Sequence, residues 1–125
     1  MNAELSVETN TVAGFKIAQD KDADNKTVAE TVIGYDAANH QLYVDRTNSG
    51  GKLNEHKLKQ TIDVNNKNNT IKLTILLDKS SLEVFINDGE AALTTYIYPG
   101  EHADKIAAFA NGGSAEIKSL KTWDM

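Results

Sequence analysis

The chain has 125 residues, 40% hydrophobic and 25% charged, which is ordinary soluble globular composition for one domain and too short for a two-domain enzyme or an α/β barrel. Thirteen basic residues against 18 acidic ones give a net charge of -5, with Arg46 the sole arginine, and so speak against a nucleic-acid partner, which wants clustered Lys and Arg. The absence of cysteine excludes a disulfide framework, a thiolate nucleophile and a Cys-ligated metal, and no apolar run approaches the roughly 20 residues of a membrane span.

Apolar residues recur with period 2 and show no sustained 3.6-residue stripe, so the predicted elements are strands. The opening Met1-Asn2-Ala3-Glu4 lacks the basic and apolar regions of a secretion signal. Strands are predicted over 13–18 and 27–35. Between them, Asp20-Lys21-Asp22-Ala23-Asp24-Asn25 begins like an EF-hand loop. The pattern breaks where position six is Asn25 instead of Gly and position twelve is Thr31 instead of Glu, so the segment reads as an acidic surface loop, with weak calcium binding as the alternative. A strand over 41–46 ends on Arg46, and one over 58–64 precedes the Asn-rich run 65–69. The strongest segments follow. Strand 71–78 sets Ile71, Leu73, Ile75 and Leu77 on one face, and Lys79-Ser80 breaks it. Strand 82–87 leads into Asp88-Gly89, which suits a two-residue type I′ turn, and strand 90–98 ends at the single proline, Pro99. With two-residue loops, Leu77 faces Leu82, Ile75 faces Val84 and Val84 faces Leu93. The opposite face then carries Asp78, Ser81, Glu83, Phe85, Thr94 and Tyr96. Weaker strands over 105–110 and 115–123 close the chain. This spacing predicts an all-β fold, a two-sheet antiparallel β-sandwich of the jelly-roll, concanavalin-like kind, in one domain over residues 1–125.

The residues able to carry chemistry are few. His40, His56 and His102 lie far apart without metal-ligand spacing and read as solvent-exposed loop residues. Asn25-Lys26-Thr27 and Asn68-Asn69-Thr70 match the glycosylation pattern, which arises easily by chance in an Asn-rich chain. Asp78 and Glu83 carry more weight, since the predicted register places both on one sheet face near one turn. They are open to three readings: a hydrolytic carboxylate pair, acceptors for sugar hydroxyls, or a turn cap beside a solvated outer-face residue. Arg46 is open to two compatible readings: binding of a carboxylate or diol by its planar fork, or an internal ion pair with Asp45, Asp78 or Glu83. Aromatics are 6% of the chain, with Trp123 the only Trp, a thin supply for a flat polysaccharide platform but adequate for a small polar pocket. Phe85 and Phe109 read as core.

The run Leu77-Asp78-Lys79-Ser80-Ser81-Leu82-Glu83-Val84-Phe85-Ile86-Asn87-Asp88-Gly89 resembles the C-terminal β-sandwich domain of glycoside hydrolase family 32, the β-fructofuranosidases, invertases, levanases and inulinases. Leu93-Thr94-Thr95-Tyr96-Ile97-Tyr98-Pro99, Ile33-Gly34-Tyr35-Asp36, Leu42-Tyr43-Val44-Asp45-Arg46-Thr47-Asn48-Ser49-Gly50 and Leu120-Lys121-Thr122-Trp123 extend the likeness over nearly the whole chain. The resemblance implies a separate N-terminal catalytic propeller carrying Asn-Asp-Pro, Arg-Asp-Pro and Glu-Cys motifs. This chain has its only proline after Tyr98 and has no cysteine, so it is expected to be a non-catalytic accessory domain without a cofactor or metal. The same sandwich resembles carbohydrate-binding module family 66, which takes terminal fructose with acidic residues and an Arg. By position Asp78, Glu83 and Arg46 match that polar set. The resemblance thus implies support of the propeller and binding of a fructan end, with a purely structural domain as the alternative. Its expected partners are the propeller and fructan or fructose, without membrane or nucleic acid. An isolated copy is expected to self-associate through the patch that meets the propeller. The compartment follows the parent's substrate: extracellular for polymers, cytoplasmic for sucrose.

Overall fold

The computed structural model describes residues 1–47, 59–64, 70–78, 81–87, 90–97 and 105–121. Within them lie ten strands: β1 Asn2–Val7, β2 Val12–Lys21, β3 Thr27–Asp36, β4 Gln41–Asp45, β5 Lys59–Asp63, β6 Thr70–Asp78, β7 Ser81–Ile86, β8 Ala91–Tyr96, β9 Lys105–Asn111 and β10 Ala115–Lys121. They form two five-stranded antiparallel sheets. Sheet A has the order β10-β1-β6-β7-β8 and sheet B the order β5-β4-β3-β2-β9. Each sheet turns one face inward, because a single sheet cannot bury its apolar side alone.

The core is the sum of the inward alternations. Ala3, Leu5 and Val7 of β1 meet Ile71, Leu73 and Ile75 of β6 and Leu82, Val84 and Ile86 of β7 from sheet A; Ala13, Phe15 and Ile17, Ile33 and Tyr35, and Leu42 and Val44 come from sheet B. Phe15 and Tyr35, at 1% and 0% exposure, are the large ring side chains of this core. Phe85 and Phe109 are not: they pair with Thr74 and Gly14 on the outer faces and are half-buried there. The alternation that puts Val84 and Ile86 inside necessarily puts Phe85 outside.

Two features depart from the sequence reading. β1 was not predicted, because its six residues carry one large aliphatic, Leu5; only its pairing with β6 and β10 makes it a strand. β2 runs on to Lys21 through an irregularity that shifts its register against β3 between Ile17 and Asp20 and against β9 between Lys16 and Gln19. Ala18, between those positions, has φ of 48°, which costs an alanine strain that neighbouring structure must offset. The bulge turns Gln19 into a buried position, where its Nε2 donates to Glu30 Oε1 at 3.2 Å. The acidic segment 22–26 is the β2–β3 connection: Asp22 Oδ1 accepts from the backbone N–H groups of Asp24 and Lys26 at 2.9 Å each, and Asn25 takes φ of 63°. The carboxylate thus organises a surface turn.

Candidate functional site

The β6–β7–β8 meander has the register predicted from sequence: Leu77 faces Leu82, Ile75 faces Val84, and Val84 faces Leu93. Ile86 pairs with Ala91, and Glu90 N donates to Asn87 O at 3.4 Å, the spacing a two-residue connection demands; residues 79–80 and 88–89 themselves lie outside the described residues. Period 2 then fixes the outer face. Asp78, Ser81 and Tyr96 form one row across the three strands, and Leu76, Glu83 and Thr94 form the next. Asp78 and Glu83 are diagonal neighbours on adjacent strands, a relation in which Cα atoms stand roughly 7–8 Å apart. Asp78 is exposed at the end of β6, Glu83 is half-buried on the central strand of the meander, and Tyr96 is 55% exposed. The face therefore presents two carboxylates, the hydroxyls of Ser81 and Thr94, and an aromatic ring, all able to meet a small polyol.

Arg46 comes from the other sheet. Leu42 and Val44 point inward along β4, and Arg46, which follows β4, continues that side and is 9% exposed. Its Nη1 donates to the backbone carbonyl of Tyr96 at 2.8 Å, so the guanidinium reaches from sheet B to the edge strand of sheet A. Among the described residues an ion pair joins Lys16 to Glu30 at 3.7 Å. Asp45 accepts from Thr47 N at 3.0 Å and Thr47 Oγ1 at 2.6 Å. One residue past Arg46's contact, Gln60 Nε2 of β5 donates to Thr95 Oγ1 of β8 at 3.4 Å, so two polar bonds join the sheets along this edge.

Other chemistry-bearing residues are dispersed. His40 is exposed and lies 3.3 Å from the Tyr35 hydroxyl through Nδ1, while His56, His102, Asn68 and Trp123 fall outside the described residues. Among the described residues no group of three His, Cys, Asp or Glu converges on a metal position. The outer face of sheet B holds a cluster that sequence reasoning missed. Lys16 Nζ sits 5.8 Å from the Phe109 ring centre as well as beside Glu30, and Lys59 Nζ sits 4.7 Å from the Tyr43 ring centre. Tyr43 in turn covers Gly34, where an added Cβ would lie 2.5 Å from the ring. Burial, with Asp45 and Asp36 nearby, holds the Tyr43 hydroxyl above its ordinary pKa.

Comparison with known proteins fits this architecture. Residues 1–124 match the family described as glycosyl hydrolases family 32 C terminal. The chain is 34% identical over 125 residues to a levanase of Bacillus subtilis, covering 96% of this chain and 18% of that protein. The structure superposes on exo-inulinase from Aspergillus awamori with a TM-score of 0.75 and 28% identity, covering 93% of this chain and 23% of the other. It superposes on sucrose-6-phosphate hydrolase from Lactobacillus gasseri with a TM-score of 0.62 and 28% identity, over 86% and 22% respectively. The chain thus spans about a fifth of the length of these relatives. Matched from its first strand to beyond its last, this β-sandwich belongs to the C-terminal domains of the family 32 glycosyl hydrolases.

Proposed function

We propose that this domain is the non-catalytic C-terminal part of an enzyme that hydrolyses fructans or sucrose, that it supports an N-terminal catalytic propeller, and that its Asp78–Glu83 face holds a terminal fructose unit. The observation that carries the site is the shared outer face of Asp78 and Glu83, flanked by Ser81, Thr94 and exposed Tyr96. A furanose offers vicinal hydroxyls, each a donor and an acceptor. Carboxylates accept from them, and hydroxyls serve in either sense. Each such bond replaces one to water and gains little, so a single face of this kind binds weakly; tethering to a catalytic domain or display on a polymer raises its effect. Arg46 positions strand β8 beneath this face through the Tyr96 carbonyl.

A purely structural domain is the second reading, and the burial of Arg46 favours it, because its bond to the Tyr96 carbonyl commits the guanidinium to joining the two sheets. Calorimetric or NMR titration with levan, inulin, sucrose and fructose separates the two. The binding reading expects saturable association with wild type that is lost in Asp78→Ala and Glu83→Ala variants whose circular dichroism is unchanged. Absence of binding up to millimolar sugar would leave the structural reading.

A further inference from the structure

The outer faces of the two sheets treat their polar groups differently. On sheet B the carboxylates are engaged within the protein: Glu30 accepts from Gln19 and pairs with Lys16, Asp63 accepts from Gln41 Nε2 at 3.0 Å, and Asp45 accepts from Thr47. On the β6–β7–β8 part of sheet A, among the described residues, no hydrogen bond or ion pair engages the side chains of Asp78, Glu83, Thr74, Ser81 or Thr94. Polar groups of this kind are held by water, and a ligand takes them over without breaking a bond of the fold.

This unengaged strip does not end at Glu83. Two residues on, Phe85 lies on the same face, in a row with Thr74 of β6 and Ala92 of β8. Phe85 is half-buried, a ring that alternation with Val84 and Ile86 keeps out of the core. Its neighbour toward the sheet edge is the exposed methyl of Ala92, so β8 puts no bulk beside that flank of the ring. On the other flank Thr74 brings a half-buried hydroxyl. Beyond Phe85 the strip closes: Asn87 Nδ2 donates to Glu90 Oε2 at 3.1 Å, and Asn87 Oδ1 accepts from Lys72 N at 3.0 Å. The open part thus runs from the row of Asp78, Ser81 and Tyr96 to the row of Phe85, a length of roughly 13 Å at strand spacing.

We propose that Phe85 and Thr74 form a second sugar subsite, so that the face takes a fructan segment, its terminal unit at Asp78 and Glu83 and a following unit on the Phe85 ring; the inference rests on the reading above that those carboxylates hold a terminal fructose. Spacing argues for two units. Phe85 lies roughly 10 Å along the strand from the middle of the Asp78–Glu83 site, beyond a single furanose ring and within reach of the next one in the chain. Chemistry argues for a sugar at both ends. A sugar ring has a C–H face and a rim of hydroxyls. The face of an aromatic ring carries negative charge density that attracts C–H groups, and stacking the two removes apolar area from water. The Thr74 hydroxyl donates to the rim or accepts from it. Carboxylates dominate the first subsite and a ring the second, so what the second adds depends on the length of the ligand.

Titration calorimetry of the 125-residue chain with fructose and with β-2,6-linked fructose oligomers tests this. The proposal expects affinity to rise by about tenfold from fructose to the trisaccharide and then to level off. Phe85→Leu keeps an apolar side chain on the face but no flat ring, and it is expected to remove that rise while fructose binding stays as in wild type. Thr74→Val, nearly the same in shape, is expected to lose about threefold for the trisaccharide alone. Circular dichroism of each variant reports folding. Fructose binding with no gain for longer oligomers, or a gain that Phe85→Leu and Thr74→Val leave intact, would overturn the second subsite and leave the first standing. Loss of fructose binding itself in folded Phe85→Leu would place the ring in the first site, and the proposal would fall. No binding of any of these sugars to the folded wild type would overturn both.

Discussion

At the scale of single residues, Gly34 and Tyr43 are coupled. β3 pairs Gly34 with Tyr43 on the outer face of sheet B, and the ring lies where a side chain at 34 would be. Gly34→Ala is therefore expected to destabilise the domain by about 1–3 kcal/mol through overpacking. Urea unfolding checks this, and the Gly34→Ala, Tyr43→Ala double variant should cost less than the sum of its parts, because the added methyl then meets no ring. The dipeptide Gly34-Tyr35 was visible in the sequence, but the ring that makes the glycine necessary comes from another strand. Arg46 shows the same limit from the other side. Alternation with Leu42 and Val44 was enough to point it inward; its partner, a backbone carbonyl 50 residues away, leaves no mark on composition or spacing.

At the scale of elements, legibility followed locality. The β6–β7–β8 register was readable because short loops fix it and each strand alternates cleanly, and Asp78 and Glu83 were placed on one face by that same logic. β10 was readable as a strand but not as a bulged one; the spacing of three between Ile117 and Leu120 was its only trace. β1 was unreadable because its strand character comes from both neighbours. In the 125-residue chain taken alone, where Met1 bears a free amino group, β1 also carries a pH dependence. The Met1 amino group donates to Ile75 O at 2.7 Å in a buried position, and burial holds its pKa below the ordinary 8.0. The unfolded chain then binds more protons than the folded one between the lowered value and 8.0, so stability rises with pH across that window and is level below the folded value, where both states carry the proton. Urea midpoints should climb as pH is raised toward 8.0 and stay flat across the same window after N-terminal acetylation. Glu8 acts lower. Hydrogen bonds from Ser114 hold its carboxyl below 4.5, so its contribution is lost only in stronger acid and leaves the upper window clean.

At the scale of the molecule, the sandwich is fastened along its β5/β8 edge by polar bonds between the sheets, while Ile106, Ile117 and Leu120 are exposed along its β9/β10 edge. Sheet A also sets a schedule. Its order seats β1 between β6 and β10, so the first strand of the domain has the last one as a neighbour. Removal of residues 115–125 should leave Leu5 and Val7 of β1 without cover on one side and abolish cooperative thermal unfolding by circular dichroism; a sharp transition in the shortened chain would contradict this. During synthesis the first strand must therefore wait, unpaired on one flank, until the final strand has cleared the ribosome.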